Sequence, residues 1–220
     1  MIQKTTKEPN KKRITVWIAA GAAMLILAFA VFLWNQARPK NLDYGYAREV
    51  SKNEMALRQR LISSAEAWLG TVKGSPEHHR LIDIYNAQEV LPVDYTVTYE
   101  DNWCATFVTV VAIQSGLEDI IPPECGCQRQ IALFKSIGCW QEDETYVPLP
   151  GDVIYFAMKD NTIGDCTGWS DHVGIVAGTS GNYIKVIDGN NKDAVRYRYV
   201  HKNDYTIRGY GLPDYSGKCE

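Results

Sequence analysis

The 220-residue chain carries 45% hydrophobic and 11% aromatic residues, which excludes a disordered chain and suffices for a domain with a buried core. Its 23 basic and 26 acidic residues leave a formal charge of −3, an argument against generic nucleic-acid binding. That near-neutrality is a cancellation: residues 1–40 hold seven basic residues and one acid, whereas residues 41–220 carry a net −9.

Residues 14–34, ITVWIAAGAAMLILAFAVFLW, run for twenty-one positions without a charge. At about 1.5 Å per residue they span roughly 31 Å, enough to cross a hydrocarbon core of about 30 Å. Trp17 and Trp34 lie near the two ends, where amphipathic rings favour the interface. Lys4, Lys7, Lys11, Lys12 and Arg13 precede the span against the single acid Glu8. This bias predicts a single-pass membrane protein with residues 1–13 as a cytoplasmic tail and the remainder outside. A cleaved signal peptide would want a shorter apolar core and a small-residue cleavage site, and Trp34-Asn35-Gln36-Ala37 offers a poor one.

Residues 35–56 are polar, contain Pro39 and Gly45, and read as a linker. Leu57, Leu61, Ile62, Ala65 and Leu69 then share one face of a helix that Gly70 stops. A second, short helix is expected near Leu81 to Asn86. Residues 103–116 admit two readings: their β-branched residues suggest a strand, whereas Asp101 or Asn102 as a cap and Gly116 as a terminator suggest a helix. From Pro148 onward, short apolar runs alternate with Gly, Asn and Asp. Strands are expected over 152–158, 172–178, 183–188, 195–200 and 206–210. Helices followed by a run of antiparallel strands predict an α+β domain.

Cys104 falls at the start of the helix alternative for 103–116, where unsatisfied amides and the positive end of the helix dipole stabilise a thiolate. His172 opens a strand, and sixteen residues later Asp188-Gly189-Asn190 closes the next one. Adjacent antiparallel strands bring those ends together, so either Asp188 or Asn190 can orient the imidazole. A cysteine, a histidine and an acidic or amide side chain in that order supply a nucleophile, a base and an orienter.

Four segments carry a family resemblance: Asp101-Asn-Trp-Cys104-Ala-Thr-Phe-Val, Leu149-Pro-Gly-Asp-Val-Ile-Tyr-Phe156, Asp171-His-Val-Gly-Ile-Val176 and Val186-Ile-Asp-Gly-Asn190. Together they resemble a CHAP domain, the cysteine, histidine-dependent amidohydrolase/peptidase family of bacterial and phage cell-wall hydrolases. The closing Arg208-Gly-Tyr-Gly-Leu-Pro-Asp-Tyr215 is similar to the terminal strand of phage-type members. The resemblance covers about residues 57–213, leaving 214–220 as a tail. It implies a papain-like fold in which a nucleophile-bearing helix over 103–116 packs on an antiparallel sheet. It also implies Cys104 as nucleophile, His172 as general base and Asp188 or Asn190 as orienter. Asn102, Trp103 and Tyr85 become candidates for the oxyanion site and the cleft. The implied substrate is peptidoglycan, cut as an N-acetylmuramoyl-L-alanine amidase or as an endopeptidase.

No cofactor or metal is expected. Asp83, Glu89 and Asp94 are scattered acids without a calcium-loop pattern, and Cys125, Cys127 and Cys139 lack the spacing of a zinc finger. If one of the six cysteines is a reactive thiol, five remain for at most two bridges. The alternatives to an enzyme are a non-catalytic peptidoglycan-binding module and a structural part of a surface machine. The latter would hold Cys104 in a disulfide.

Overall fold

The computed structural model describes residues 45–143, 145–159 and 168–218. The apolar span 14–34, Cys166 and Cys219 lie outside them. Among the described residues no helix is long and apolar enough to cross a membrane. The described chain is an α+β domain with four α-helices and a six-stranded antiparallel sheet.

Helix α1 (Lys52–Glu66) begins five residues before the first apolar position of its periodic face. Ser51, in extended conformation, accepts the Glu54 amide at 3.1 Å and satisfies one of the free donors of the first turn. Upstream, Gly45 exchanges backbone hydrogen bonds with Thr179 at 3.1 and 3.2 Å. The expected linker 35–56 therefore ends earlier, by residue 45, because its last residues are fixed by capping and strand pairing rather than by apolar spacing. Helix α2 (Pro76–Asn86) also starts sooner than expected, with Ser75 as cap and Pro76 in the first turn.

Residues 103–116 resolve as helix α3 (Cys104–Ser115), ended by Gly116 in the left-handed region. Every residue from Cys104 to Ala112 is buried. The helix packs against α1 and α2 on one side and the sheet on another, so its β-branched residues are chosen for burial, and tertiary context overrides their strand preference. Helix α4 (Cys127–Ser136) has no counterpart in the sequence expectations. It is followed by the two-residue strand β1 (Trp140–Gln141).

The remaining strands are β2 (Val153–Phe156), β3 (His172–Ser180), β4 (Tyr183–Asp188), β5 (Arg196–His201) and β6 (Ile207–Gly211). Their order across the sheet is β1-β6-β2-β3-β4-β5. Val153, Tyr155, Val173, Ile175 and Ile187 join the helices in one core, and Ile154, Phe156, Val176, Val186 and Val200 form a second on the opposite face. Register shifts at Tyr155/Phe156 and Val176/Gly178 bend the strands.

The turn before β2 is held by a buried ion pair. Arg58 donates to Asp152 Oδ1 at 2.8 Å and to the Pro150 carbonyl at 2.9 Å, while Asp152 Oδ2 accepts from the Tyr146 hydroxyl and the Leu149 amide. The Arg58 guanidinium also lies over the Tyr215 ring, 4.3 Å from its centroid. Tyr215 is buried and donates to the Gly151 carbonyl at 2.7 Å, so the folded domain runs past residue 213 and the expected tail from 214 is partly core. Arg58→Ala leaves Asp152 buried without its charge partner. The expected loss of stability is about 3–5 kcal/mol, measured by urea unfolding against the wild-type chain.

Candidate active site

The site assembles where the start of α3 meets the ends of β3 and β4. Cys104 is the first residue of α3 and is 5% exposed. No side chain caps this helix, so its first amides remain available as donors, and the Ala105 amide bonds the Cys104 sulfur. The thiol is held well below its ordinary range, first by a hydrogen bond with Cys127 and then by the His172 hydrogen bond and charge, against the opposing effect of burial.

His172 is the first residue of β3. Its Nε2 lies 2.7 Å from Asp188 Oδ2, and the ring is also hydrogen-bonded to Cys104. Burial alone would push the imidazole down. The Asp188 hydrogen bond and the Cys104 partner overcome it and raise the pKa to about 9. Both shifts favour the thiolate–imidazolium form of the pair over the neutral one, and that form is lost on the alkaline side as His172 deprotonates.

The β3–β4 register explains which residue orients the ring. Ile175 pairs with Ile187, so Gly174 stands opposite Asp188 and His172 is its diagonal neighbour on the same face. A Cβ at Gly174 would meet Asp188 Cβ at 2.9 Å and Val186 Cγ1 at 2.6 Å, so the bare glycine leaves the carboxylate room to lean toward the imidazole. Asp188 is fully buried and held from two further directions. Arg198 of β5 donates to Oδ2 at 2.6 Å, and Asn191 donates to Oδ1 at 2.9 Å. Of the two candidates left open by the sequence, Asp188 takes the place beside His172.

No family model, curated protein or solved structure matches the chain.

Asn190 has left the sheet, with a positive φ of 54°, and its side-chain amide donates to Asn102 Oδ1 at 3.1 Å. It does not orient His172, which corrects that half of the expectation. Asn102 is exposed two residues before Cys104, and its side-chain oxygen accepts from Asn190. Trp103 and Tyr85 do not line a cleft. Both are fully buried, so neither can touch a substrate. Trp103 packs edge-on to His78, 4.9 Å between centroids, and wedges the start of α3 in place. Tyr85 lies in the same core, with its hydroxyl directed at Cys125.

Three residues at the site were not expected there as partners. Arg198 belongs to the alternating segment VRYRYV, where the alternation indicates a half-buried strand but not which acid its guanidinium meets. Asn191 lies beyond the motif. Cys127 begins α4, and its Sγ is 3.6 Å from that of Cys104, a contact and not a bond. An open cavity of about 410 Å³ adjoins the site on the Asn102 side, lined in part by Tyr95, Asp101, Gly126 and Arg129. Among the described residues no group of three or more His, Cys, Asp or Glu side chains is placed to hold a metal ion.

Proposed function

We propose that the protein is a membrane-anchored CHAP-type peptidoglycan hydrolase with a papain-like arrangement, cutting amide bonds in the peptide part of the bacterial cell wall. The observation that carries this reading is the buried Cys104–His172–Asp188 chain at the uncapped start of α3, with the imidazole raised and the thiol lowered. Residues 14–34 would anchor the chain, with the domain outside the cell.

In this reading the Cys104 thiolate attacks the carbonyl carbon of the scissile amide, and the oxygen takes up the negative charge. The free amides at the start of α3 and the Asn102 side chain stabilise that oxyanion, and Asn190 holds the Asn102 amide in orientation. The His172 imidazolium gives its proton to the leaving amine, the C–N bond breaks, and a thioester remains on Cys104. Neutral His172 then takes a proton from water, which attacks the thioester and frees the acid product. Asp188 keeps the ring in the tautomer both steps require, and Arg198 and Asn191 fix Asp188.

The test is digestion of purified peptidoglycan by the full-length chain, with the released fragments identified by mass spectrometry. Fragments cut between N-acetylmuramic acid and L-alanine assign an amidase, and fragments cut within stem or bridge peptides assign an endopeptidase. No release from walls of several chemotypes would overturn the reading and leave a binding module.

A further inference from the structure

The hydrolytic scheme uses one sulfur, yet two are buried in contact at its centre. Cys104 and Cys127 lie 3.6 Å apart, and each is the first residue of an α-helix, so two helix N-termini converge on the pair. The approach is built into the fold. Thr109 of α3 donates to the Glu124 carbonyl at 2.7 Å and accepts the Glu124 amide at 2.9 Å, clamping the segment that leads into α4. The Glu124 carboxylate accepts the Cys125 and Gly126 amides at 2.7 and 3.1 Å, which shapes the last turn before Cys127. On the other side Gln128 accepts the Ser170 amide at 3.1 Å, tying the start of α4 to the loop that delivers His172.

Cys127 is 8% exposed, and its sulfur meets that of Cys104. Cys125, two residues earlier, is turned instead toward Tyr85 and Arg129. The geometry points to Cys127 as the resolving thiol for an oxidised Cys104: hydroperoxides convert the pair to a reversible Cys104–Cys127 disulfide that closes the hydrolytic site and shields the nucleophile from irreversible oxidation.

The electron balance is complete with a hydroperoxide as the only oxidant. The Cys104 thiolate attacks the terminal peroxide oxygen, the O–O bond breaks, and the alkoxide or hydroxide leaves and takes a proton, giving Cys104 sulfenic acid. The Cys127 sulfur attacks Cys104 Sγ, the S–O bond breaks, and hydroxide departs with the Cys127 proton as water. The two sulfurs lose two electrons, which reduce the peroxide to an alcohol or water. Forming the bond brings the two sulfurs from 3.6 Å to the length of a disulfide, about 2.05 Å. A dithiol reductant reverses the step.

The regulatory half of this inference rests on the proposed hydrolysis. The chemical half does not, and it is read by mass alone. Treating the reduced full-length chain with stoichiometric hydrogen peroxide should remove two hydrogens from its intact mass, and peptide mapping should find Cys104 joined to Cys127. Peptidoglycan digestion should stop and return with dithiothreitol. Cys127→Ser should instead gain oxygen on Cys104, beyond rescue by dithiothreitol once the sulfinic acid forms, whereas Cys125→Ser should form the wild-type link. Oxygen gain without cross-linking in the wild-type chain, or a cross-link from Cys104 to another cysteine, overturns the proposal. A correct cross-link in a chain that digests no peptidoglycan overturns the hydrolase reading and leaves the thiol chemistry standing.

Discussion

Cys104→Ala abolishes fragment release from purified peptidoglycan, an expected loss on the order of 10⁴-fold or more. The magnitude follows from the scheme, since among the described residues the sulfur hydrogen-bonded to His172 is that of Cys104. Cys127 is the only other sulfur the described residues bring into contact with Cys104. It does not substitute, because burial still raises its thiol in the variant and the sulfur hydrogen-bonded to His172 is that of Cys104. The substitution is also structurally mild. It removes one sulfur from a residue with 5% exposure, in a helix start wedged by fully buried Trp103, and alanine is a good helix former. Unfolding of the variant should therefore stay close to wild type, which separates lost chemistry from lost fold. Release by the variant equal to that of the wild-type chain excludes Cys104 as the nucleophile. The variant also shifts His172, because the Cys104 hydrogen bond and charge that raise its pKa are gone. Its imidazole should titrate below 9 when followed by NMR.

Asp188→Asn carries the second largest effect, an expected fall of about 10²–10⁴-fold in kcat/KM. The carboxylate accepts from Nε2 of His172 at 2.7 Å and thereby selects the ring orientation that faces Cys104. An amide at the same place can present its N–H₂ to Nε2, which stabilises the opposite tautomer. It also removes the charge that Arg198 meets at 2.6 Å. The sign of the pH effect follows. The Asp188 hydrogen bond is the first of the contributions that raise the imidazole toward 9, so in the variant the alkaline limb of the rate profile should move down in pH. A merely structural role for Asp188 would lower the amount of folded protein without moving that limb. An unchanged kcat/KM with an unchanged alkaline limb would contradict the assignment of Asp188 as the orienter.

The site was legible in the sequence to the extent that its parts sit at element ends. His172 at a strand start follows from apolar patterning and the spacing to Asp188 from hairpin geometry. Cys104 at a helix start is one of two readings that patterning leaves open for 103–116, and only the family resemblance implies it. The choice between Asp188 and Asn190 follows from neither, because it depends on where the strand stops. Asn190 adopts a positive φ and turns away to Asn102, a backbone event that Gly189-Asn190 permits but does not specify. Helix α4 was missed although its buried residues Cys127, Gln130, Ile131 and Phe134 recur at helical spacing. Pro122, Pro123 and Gly126 break the pattern immediately before it, so the spacing runs for only ten residues. The meeting of Cys127 with Cys104 depends on the long-range clamp between Thr109 and Glu124, which no local pattern encodes. Trp103 and Tyr85 stand near the nucleophile in the chain or in the fold, but proximity does not reveal which way a ring points, and both rings point into the core.

The central claim is that Cys104 is a thiolate paired with the His172 imidazolium, and the pH dependence of its alkylation tests this most directly. Iodoacetamide labelling of the reduced full-length chain, read at the Cys104 peptide, should already be at its plateau at neutral pH. It should change again only near pH 9, where His172 loses its proton. In Asp188→Asn that second change should come at lower pH. Labelling of Cys104 that climbs steadily up to the range of an ordinary thiol, about 8.5, with no plateau at neutral pH and no response to Asp188, would contradict the account.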